Sequence, residues 1–460
     1  MSAPACSTRR QFLATASAAL AAQTAPTRPP NVVIIFCDDL GYGDLGCYGS
    51  TIRTPNLDRM AAEGMRFTHF YSANPVCSPS RASLMTGRYP TRVGVPRVLN
   101  PKDTTGLPDS ETTLAQVLKA RHYKTMCIGK WHLGHLPQYL PTSRGFDEYF
   151  GIPYSNDMTP RVLLHNTEVV EQEATLETLT SRYTERALRF IEQSKDSPFF
   201  LYFPHTYPHI PLAASSRFRG KSRQGLFGDV VEEIDWSVGE VFAALKKHGL
   251  DNNTLVLFSS DNGPWFQGSP GRLRGRKGST LEGGVRVPFI ARLPGRIPKG
   301  RLCSGIGSMM DILPTVARLC DAPLPKNPLD GIDIWPLISG QKSELEREAL
   351  LYFDNVHVQC ARWKQWKLHL ARYNTFAYSP APAGGRVNLP LRNPELYDLV
   401  LDPDESYDVA PEHPGVVKEI QGRVERLLEG FPDDIRKAYT ETKARRSRET
   451  RPAALPVPEK

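Results

Sequence analysis

Asn31-Val32-Val33-Ile34-Ile35-Phe36-Cys37-Asp38-Asp39 decides the architecture. Val32 to Cys37 is a continuous, β-branched apolar run, the composition of a strand buried on both faces of a parallel sheet. The run stops at two adjacent carboxylates and then turns at Gly41-Tyr42-Gly43-Asp44. In open α/β sheets the chemistry gathers at such carboxyl ends.

Working outward, the chain alternates between the two periodicities. Helices are expected over 55–64, 112–120, 183–194 and 227–247, and strands over 65–71, 124–129, 199–203 and 254–258. That alternation predicts an α/β sandwich, a mainly parallel central sheet with helices on both faces, over residues 30–340. Past residue 340 the texture changes. Short antiparallel strands are expected over 350–353, 356–362, 366–371 and 396–399, then a final helix over 414–430. These make a smaller C-terminal α+β domain over 345–440, followed by a basic, Pro/Ala-rich tail, 443–460, expected to be disordered.

Composition narrows the function. The chain has 460 residues and a formal charge of +8, from 57 basic and 49 acidic residues. This suits anionic substrates, but no basic stripe interleaved with aromatics is present, which argues against nucleic acid. No stretch is long enough to read as a transmembrane segment. At the N-terminus, Arg9-Arg10-Gln11-Phe12-Leu13, an alanine-rich run and Gln23-Thr24-Ala25 read as a twin-arginine signal peptide over 1–25. The expected partner is the twin-arginine export machinery, and the expected location is periplasmic or secreted, in a bacterium. The 8 cysteines contain no C-x-x-C pair, so a zinc site of that type is not expected, and any disulfide is left unassigned.

The second informative stretch is Val76-Cys77-Ser78-Pro79-Ser80-Arg81-Ala82-Ser83-Leu84-Met85-Thr86-Gly87-Arg88. A short helix over 82–87 with a glycine stop would put Cys77 at or just before a helix N-terminus, where N–H groups favour an anion. This stretch resembles the signature of the formylglycine-dependent sulfatase family, within it the arylsulfatase A and N-acetylgalactosamine-6-sulfatase group. The resemblance implies an alkaline-phosphatase-like sandwich. It also implies oxidation of Cys77 to Cα-formylglycine by a formylglycine-generating enzyme, guided by Pro79 and Arg81.

Two further pairs end strands: Asp38-Asp39, and Asp261-Asn262 after Leu255 to Ser260. Carboxylates crowded at the end of an apolar strand call for a cation, and oxygen ligands favour Ca2+ over Mg2+. By resemblance Asp38, Asp39, Asp261 and Asn262 are the family's metal ligands, with modified Cys77 supplying another oxygen. Lys130-Trp131-His132 follows a strand, so strand alternation, if it continued, would point Lys130 and His132 the same way. The resemblance makes them the family's catalytic pair and Ser155 a substrate contact. Of the two histidines in Pro204-His205-Thr206-Tyr207-Pro208-His209-Ile210-Pro211, it selects His209, with His205 a rival. Gly275-Arg276-Lys277-Gly278 resembles a second family signature and offers Lys277 to the sulfate.

The implied reaction is sulfuryl transfer to a hydroxyl of hydrated formylglycine at position 77, with Arg81 orienting the hydrate. Lys130, Lys277 and the metal stabilise charge, and His209 or Lys277 protonates the leaving alcohol. His132 then takes the second hydroxyl's proton and sulfate departs. The expected substrate is a sulfated sugar or aryl sulfate, of galactose or N-acetylgalactosamine type. Trp265 and Phe266 are placed to stack a sugar, and Arg272, Arg274 and Arg276 to meet further anionic groups. The alternatives are a phosphonate or phosphate monoester hydrolase of the same superfamily and a non-catalytic exported polysaccharide-binding protein.

Overall fold

β1 (Asn31–Cys37) lies inside a ten-stranded sheet in the computed structural model, which describes residues 28–373 and 387–449. The other strands are β2 (Met65–Tyr71), β3 (Lys124–Ile128), β4 (Glu148–Gly151), β5 (Leu163–His165), β6 (Glu168–Glu171), β7 (Phe199–Pro204), β8 (Thr254–Ser260), β9 (Phe289–Arg292) and β10 (Arg301–Ser308). Their order is β10-β2-β9-β8-β1-β7-β3-β4-β5-β6. The central five, β8-β1-β7-β3-β4, are mutually parallel, and β9 and β5 run against them. Every residue of β1, β7 and β8 is buried, as the continuous apolar runs require.

Alternation along β1 divides the core into two layers. Val32, Ile34 and Phe36 pack on one face, with α2 (Cys77–Thr86), α3 (Leu114–Lys119) and α6 (Ile312–Leu319). Val33, Ile35 and Cys37 pack on the other, with α1 (Pro55–Glu63), α4 (Leu179–Gln193) and α5 (Gly225–Lys247). The α/β sandwich is therefore the observed architecture.

α2 starts earlier than periodicity suggested. Cys77 itself opens the helix after extended Val76, and Pro79 is tolerated because the first turn needs no N–H there. Gly87 closes it with φ 69°, the left-handed cap glycine adopts freely. Thr113 caps α3 through a reciprocal box with Gln116.

A second sheet holds β11 (Leu350–Asp354), β12 (His357–Trp363), β13 (Trp366–Tyr373) and β14 (Asn388–Asp398), antiparallel throughout and in that order. Its Leu350, Val358, Leu368 and Leu396 enter the same apolar cluster as Phe67 and Phe70 of β2. Two helices follow rather than one: α7 (Pro414–Glu429), then, after Gly430-Phe431-Pro432, α8 (Asp433–Glu449). This corrects the expected single final helix and the tail's start, since residues 443–449 continue α8. The expected signal peptide and the tail from 450 lie outside the described residues. Cys37, Cys47, Cys77, Cys127, Cys303, Cys320 and Cys360 are all free thiols. No described helix is long and apolar enough to cross a membrane.

Candidate active site

The carboxyl ends of five neighbouring strands deliver most of the site. Asp38 and Asp39 follow β1, Asp261 and Asn262 follow β8, His209 follows β7, Lys130 and His132 follow β3, and Ser155 follows β4. All eight are buried. Cys77 reaches them from the N-terminus of α2, with Sγ 3.5 Å from Asp38 Oδ1. Lys277 arrives from the long β8–β9 connection and places Nζ 2.8 Å from each Asp39 oxygen.

Arg81, wholly buried one turn along α2, ties the pieces together. Its Nε and Nη2 donate to Asp261 Oδ2 at 3.0 and 2.8 Å, and its Nη1 donates to the Lys130 carbonyl at 2.8 Å. Lys130 Nζ bonds Asp38 Oδ2 and donates to Ser155 Oγ at 3.1 Å.

Strand alternation does not explain Lys130 and His132, because β3 ends at Ile128. Gly129 turns the chain at φ 124°, and a Cβ there would meet the Pro204 carbonyl at 1.8 Å, so only glycine fits. His132 follows at φ 60°, and Asp39 at φ 67°. Such backbone persists only where the surroundings enforce it. His132 Nε2 meets the Leu99 carbonyl at 2.8 Å, which fixes the proton on Nε2 and leaves Nδ1 a buried, unpartnered lone pair.

The two histidines of the β7 loop separate cleanly. His209 Nε2 lies 3.6 Å from Asp39 Oδ2 and 3.5 Å from Ser155 Oγ, while its Nδ1 meets the Ile210 carbonyl at 2.5 Å. His205 packs on Phe203 with neither ring nitrogen partnered.

Charge in this pocket is balanced by the chain itself. Burial disfavours the Asp38 carboxylate, yet Lys130, His209 and Arg81 hold it well below the usual range. Burial and the Asp38 carboxylate push Asp261 up to about 7 even against Arg81. Burial, with Lys130 and Arg81, keeps His132 well below 6.5, and burial lowers His209. Burial also raises the Cys77 thiol far above its ordinary value. An unmodified Cys77 is therefore a neutral, weakly nucleophilic thiol.

The case for a metal shifts accordingly. Lys130, Lys277 and Arg81 stand against three carboxylates, so crowding of negative charge alone does not demand a cation. What does point to one is a set of converging lone pairs. Asp38, Asp39, Cys77 and His209 bring ligand atoms within 4.8 Å of one another. Asn262 donates through Nδ2 to Asp39 Oδ1 at 2.8 Å, which leaves its buried Oδ1 without a partner. His209, bonded through Nδ1, turns Nε2 toward a carboxylate. The carboxylate and amide oxygens among them fit a hard divalent ion. Asp261 stands beside them, with one oxygen bonded by Arg81 and the other by the Asp39 amide at 3.2 Å, and each carboxylate oxygen keeps a further lone pair. The approach of His209 to Asp39 spans 170 residues and has no local signal in the sequence.

Around the rim, exposed Phe266 packs edge-to-face with Trp265, and Arg276 donates to the Trp265 and Gly268 carbonyls. Arg274 donates to the Glu405 carbonyl at 2.8 Å. Both arginines thus anchor the loop. Arg272 is exposed.

Comparison with known proteins gives a consistent answer. Residues 30–322 match the family model described as Sulfatase, and residues 345–456 match the C-terminal region of aryl-sulfatase. Human arylsulfatase A is 40% identical over 452 residues, covering 89% of this chain and 89% of the relative. The N-acetylgalactosamine-6-sulfatase of Canis lupus familiaris is 41% identical, covering 78% and 75%. Among solved structures, the PsFucS1 sulfatase from Pseudoalteromonas sp. superposes with TM-score 0.80 at 29% identity, covering 94% of this chain and 96% of that one.

Proposed function

The chain belongs to the sulfatase family and is a sulfuric ester hydrolase, and on that premise we propose that it cleaves sulfate monoesters from sugars of the galactose or N-acetylgalactosamine type. Its nucleophile is Cα-formylglycine made from Cys77, and its metal is Ca2+. The observation that carries this reading is the convergence of Cys77, Asp38, Asp39 and His209 within 4.8 Å, beneath two lysine ammonium groups.

Asp38, Asp39, Asp261 and Asn262 would hold the cation, beside the oxygen at position 77. Bound there, it would polarise the oxygen at position 77 and offset charge on the sulfuryl oxygens. The chain's own groups do the rest. Lys130 and Lys277 reach the paired carboxylates, Nζ on Asp38 and Nζ on Asp39, and hold the sulfuryl oxygens as point charges. Arg81 fixes Asp261 and the Lys130 backbone, so the β1, β3 and β8 ends keep their spacing. His132, neutral with a free Nδ1 lone pair, is equipped to accept a proton. His209 or the Lys277 ammonium supplies one to the leaving alcohol, and Ser155 orients both Lys130 and His209. A thiol at position 77 has no second hydroxyl from which His132 could take a proton, so the reaction needs the oxidised residue.

Residues Cys77 to Thr86 are buried throughout, so the modifying enzyme acts before α2 packs. For a chain exported folded by the twin-arginine route to the periplasm, modification would then precede export. The phosphonate alternative is not favoured, because relatives matching most of the chain at about 40% identity are sulfatases.

The test combines peptide mass spectrometry of the segment containing residue 77 with kcat/KM for matched aryl sulfate and aryl phosphonate esters and for 6-sulfated N-acetylgalactosamine. The expected result is an aldehyde at position 77 and preference for sulfate. An active enzyme carrying only cysteine there overturns the mechanism. Preference for the phosphonate overturns the substrate class.

A further inference from the structure

Lys277 sits on a segment that the large sheet alone does not hold. From Arg274 to Arg286 the chain is fastened by residues of the second sheet and of the loop after it. Lys367 of β13 places Nζ 2.9 Å from Glu282 Oε1 and 3.2 Å from Glu405 Oε1. Glu405 also accepts the Glu282 amide through Oε2, meets His369 Nε2 at 2.7 Å, and offers its own carbonyl to Arg274 at 2.8 Å. Thr280 Oγ1 donates to Gln359 of β12 at 3.0 Å. On the other flank, Tyr71 donates to Glu282 Oε2 at 2.8 Å. Side chains of Glu282, Lys367 and Glu405 have no exposed surface.

A buried ionic lattice is a poor source of stability, because desolvation offsets most of the attraction and an apolar filling often does as well. What a fully bonded lattice does supply is one geometry. Glu405 holds a left-handed backbone, φ 56°, to make these contacts. It grips the segment at both ends, Arg274 and Glu282, and Lys277 lies between them. The Lys277 and Gly278 amides then dock on the Pro264 and Pro75 carbonyls at 3.1 and 2.8 Å, next to Cys77.

We propose that Glu405 and Lys367 are positioning residues for Lys277: the C-terminal sheet sets where the Lys277 ammonium stands over Asp39. This rests on the reading of Lys277 as a sulfate contact. Neither residue touches substrate.

The experiment uses the mature enzyme with an aryl sulfate and three variants, Glu405→Gln, Lys277→Ala and the pair. Glu405→Gln keeps an acceptor for the Glu282 amide but removes the charge. Its kcat is expected to fall about ten- to hundredfold with KM within about twofold, the scale of a small misplacement. In the Lys277→Ala background the same change is expected to cost less than about twofold. Independent of activity, hydrogen exchange at the Lys277 and Gly278 amides is expected to quicken in Glu405→Gln while β1 and β8 stay protected. Effects that multiply in the pair, or unchanged exchange, overturn the proposal. If Lys277→Ala alone leaves turnover intact, the sulfate-contact reading falls, and the exchange result still decides positioning. Should Glu405→Gln fail to fold, Thr280→Val loosens the same joint, and the same outcomes apply.

Discussion

Replacing Lys130 by methionine removes the ammonium from a pocket that water does not reach. Lys130 and Asp38 are both without exposed surface, and after the change Arg81, 3.6 Å away, is the one ion-pair partner left to Asp38 among the described residues. Breaking a buried pair by deleting one partner costs about 3–5 kcal/mol. Unfolding entropy near 2.1 cal/mol/K per residue gives about 1 kcal/mol/K for a chain of 460 residues, so Tm is expected to fall by about 3–5 °C. Calorimetry in chelator reads this directly, and excess Ca2+ is expected to narrow the deficit by giving Asp38 another counter-charge. Deleting one donor to the reacting oxygens is worth about 10²–10³-fold in kcat, and the variant's aryl sulfate turnover should fall on that scale. A Tm in chelator within a degree of the unaltered protein would refute the account of Lys130 as the counter-ion of a dry carboxylate.

Acid stability offers a second test. Burial drops His205 to about 3, so the folded ring stays neutral while the unfolded one, near 6.5, binds a proton. Stability should therefore fall as pH drops from about 6.5 toward 3, by at most about 1.4 kcal/mol per pH unit from this residue. Urea titrations of His205→Phe at pH 7.5 and 4.5 should show a shallower loss, with catalysis retained. Asp39→Ala should remove the Ca2+-dependent rise in Tm, worth about 2.7 kcal/mol at a hundred times Kd, and abolish turnover; a rise that survives places the cation elsewhere. Cys77→Ser should fold normally and lose activity, and substantial turnover by the serine form would show that an aldehyde is not needed.

Sequence carried the parts of this architecture that are local. β1 and β8 announce themselves as apolar runs, and Asp38, Asp39, Asp261 and Asn262 follow because strand ends are easy to see. Lys130 and His132 were readable as a pair from the motif, but strand alternation does not place them. Alternation presumes a strand, whereas the chain leaves β3 through a turn that Gly129 alone permits. α8 was missed because its charged, weakly amphipathic residues look like a solvated tail. Contacts between distant residues were invisible. His209 beside Asp39 depends on strand order, and Lys367 beside Glu282 on how the two sheets pack, neither of which spacing encodes.

The place of β1 between β7 and β8 also has a kinetic consequence. The first described strand pairs along both edges with segments that begin near residues 199 and 254, so one partner is complete only after about 200 residues and the other only after more than half the chain has been made. Until then its two unpaired edges and its apolar faces stand open to aggregation. Closing loops of that length before any contact rewards them makes folding slow. The carboxylates at its tip meet Asn262 and Lys277 only once those later segments are made, so a ribosome-bound fragment ending before β8 should be inert and dependent on chaperones.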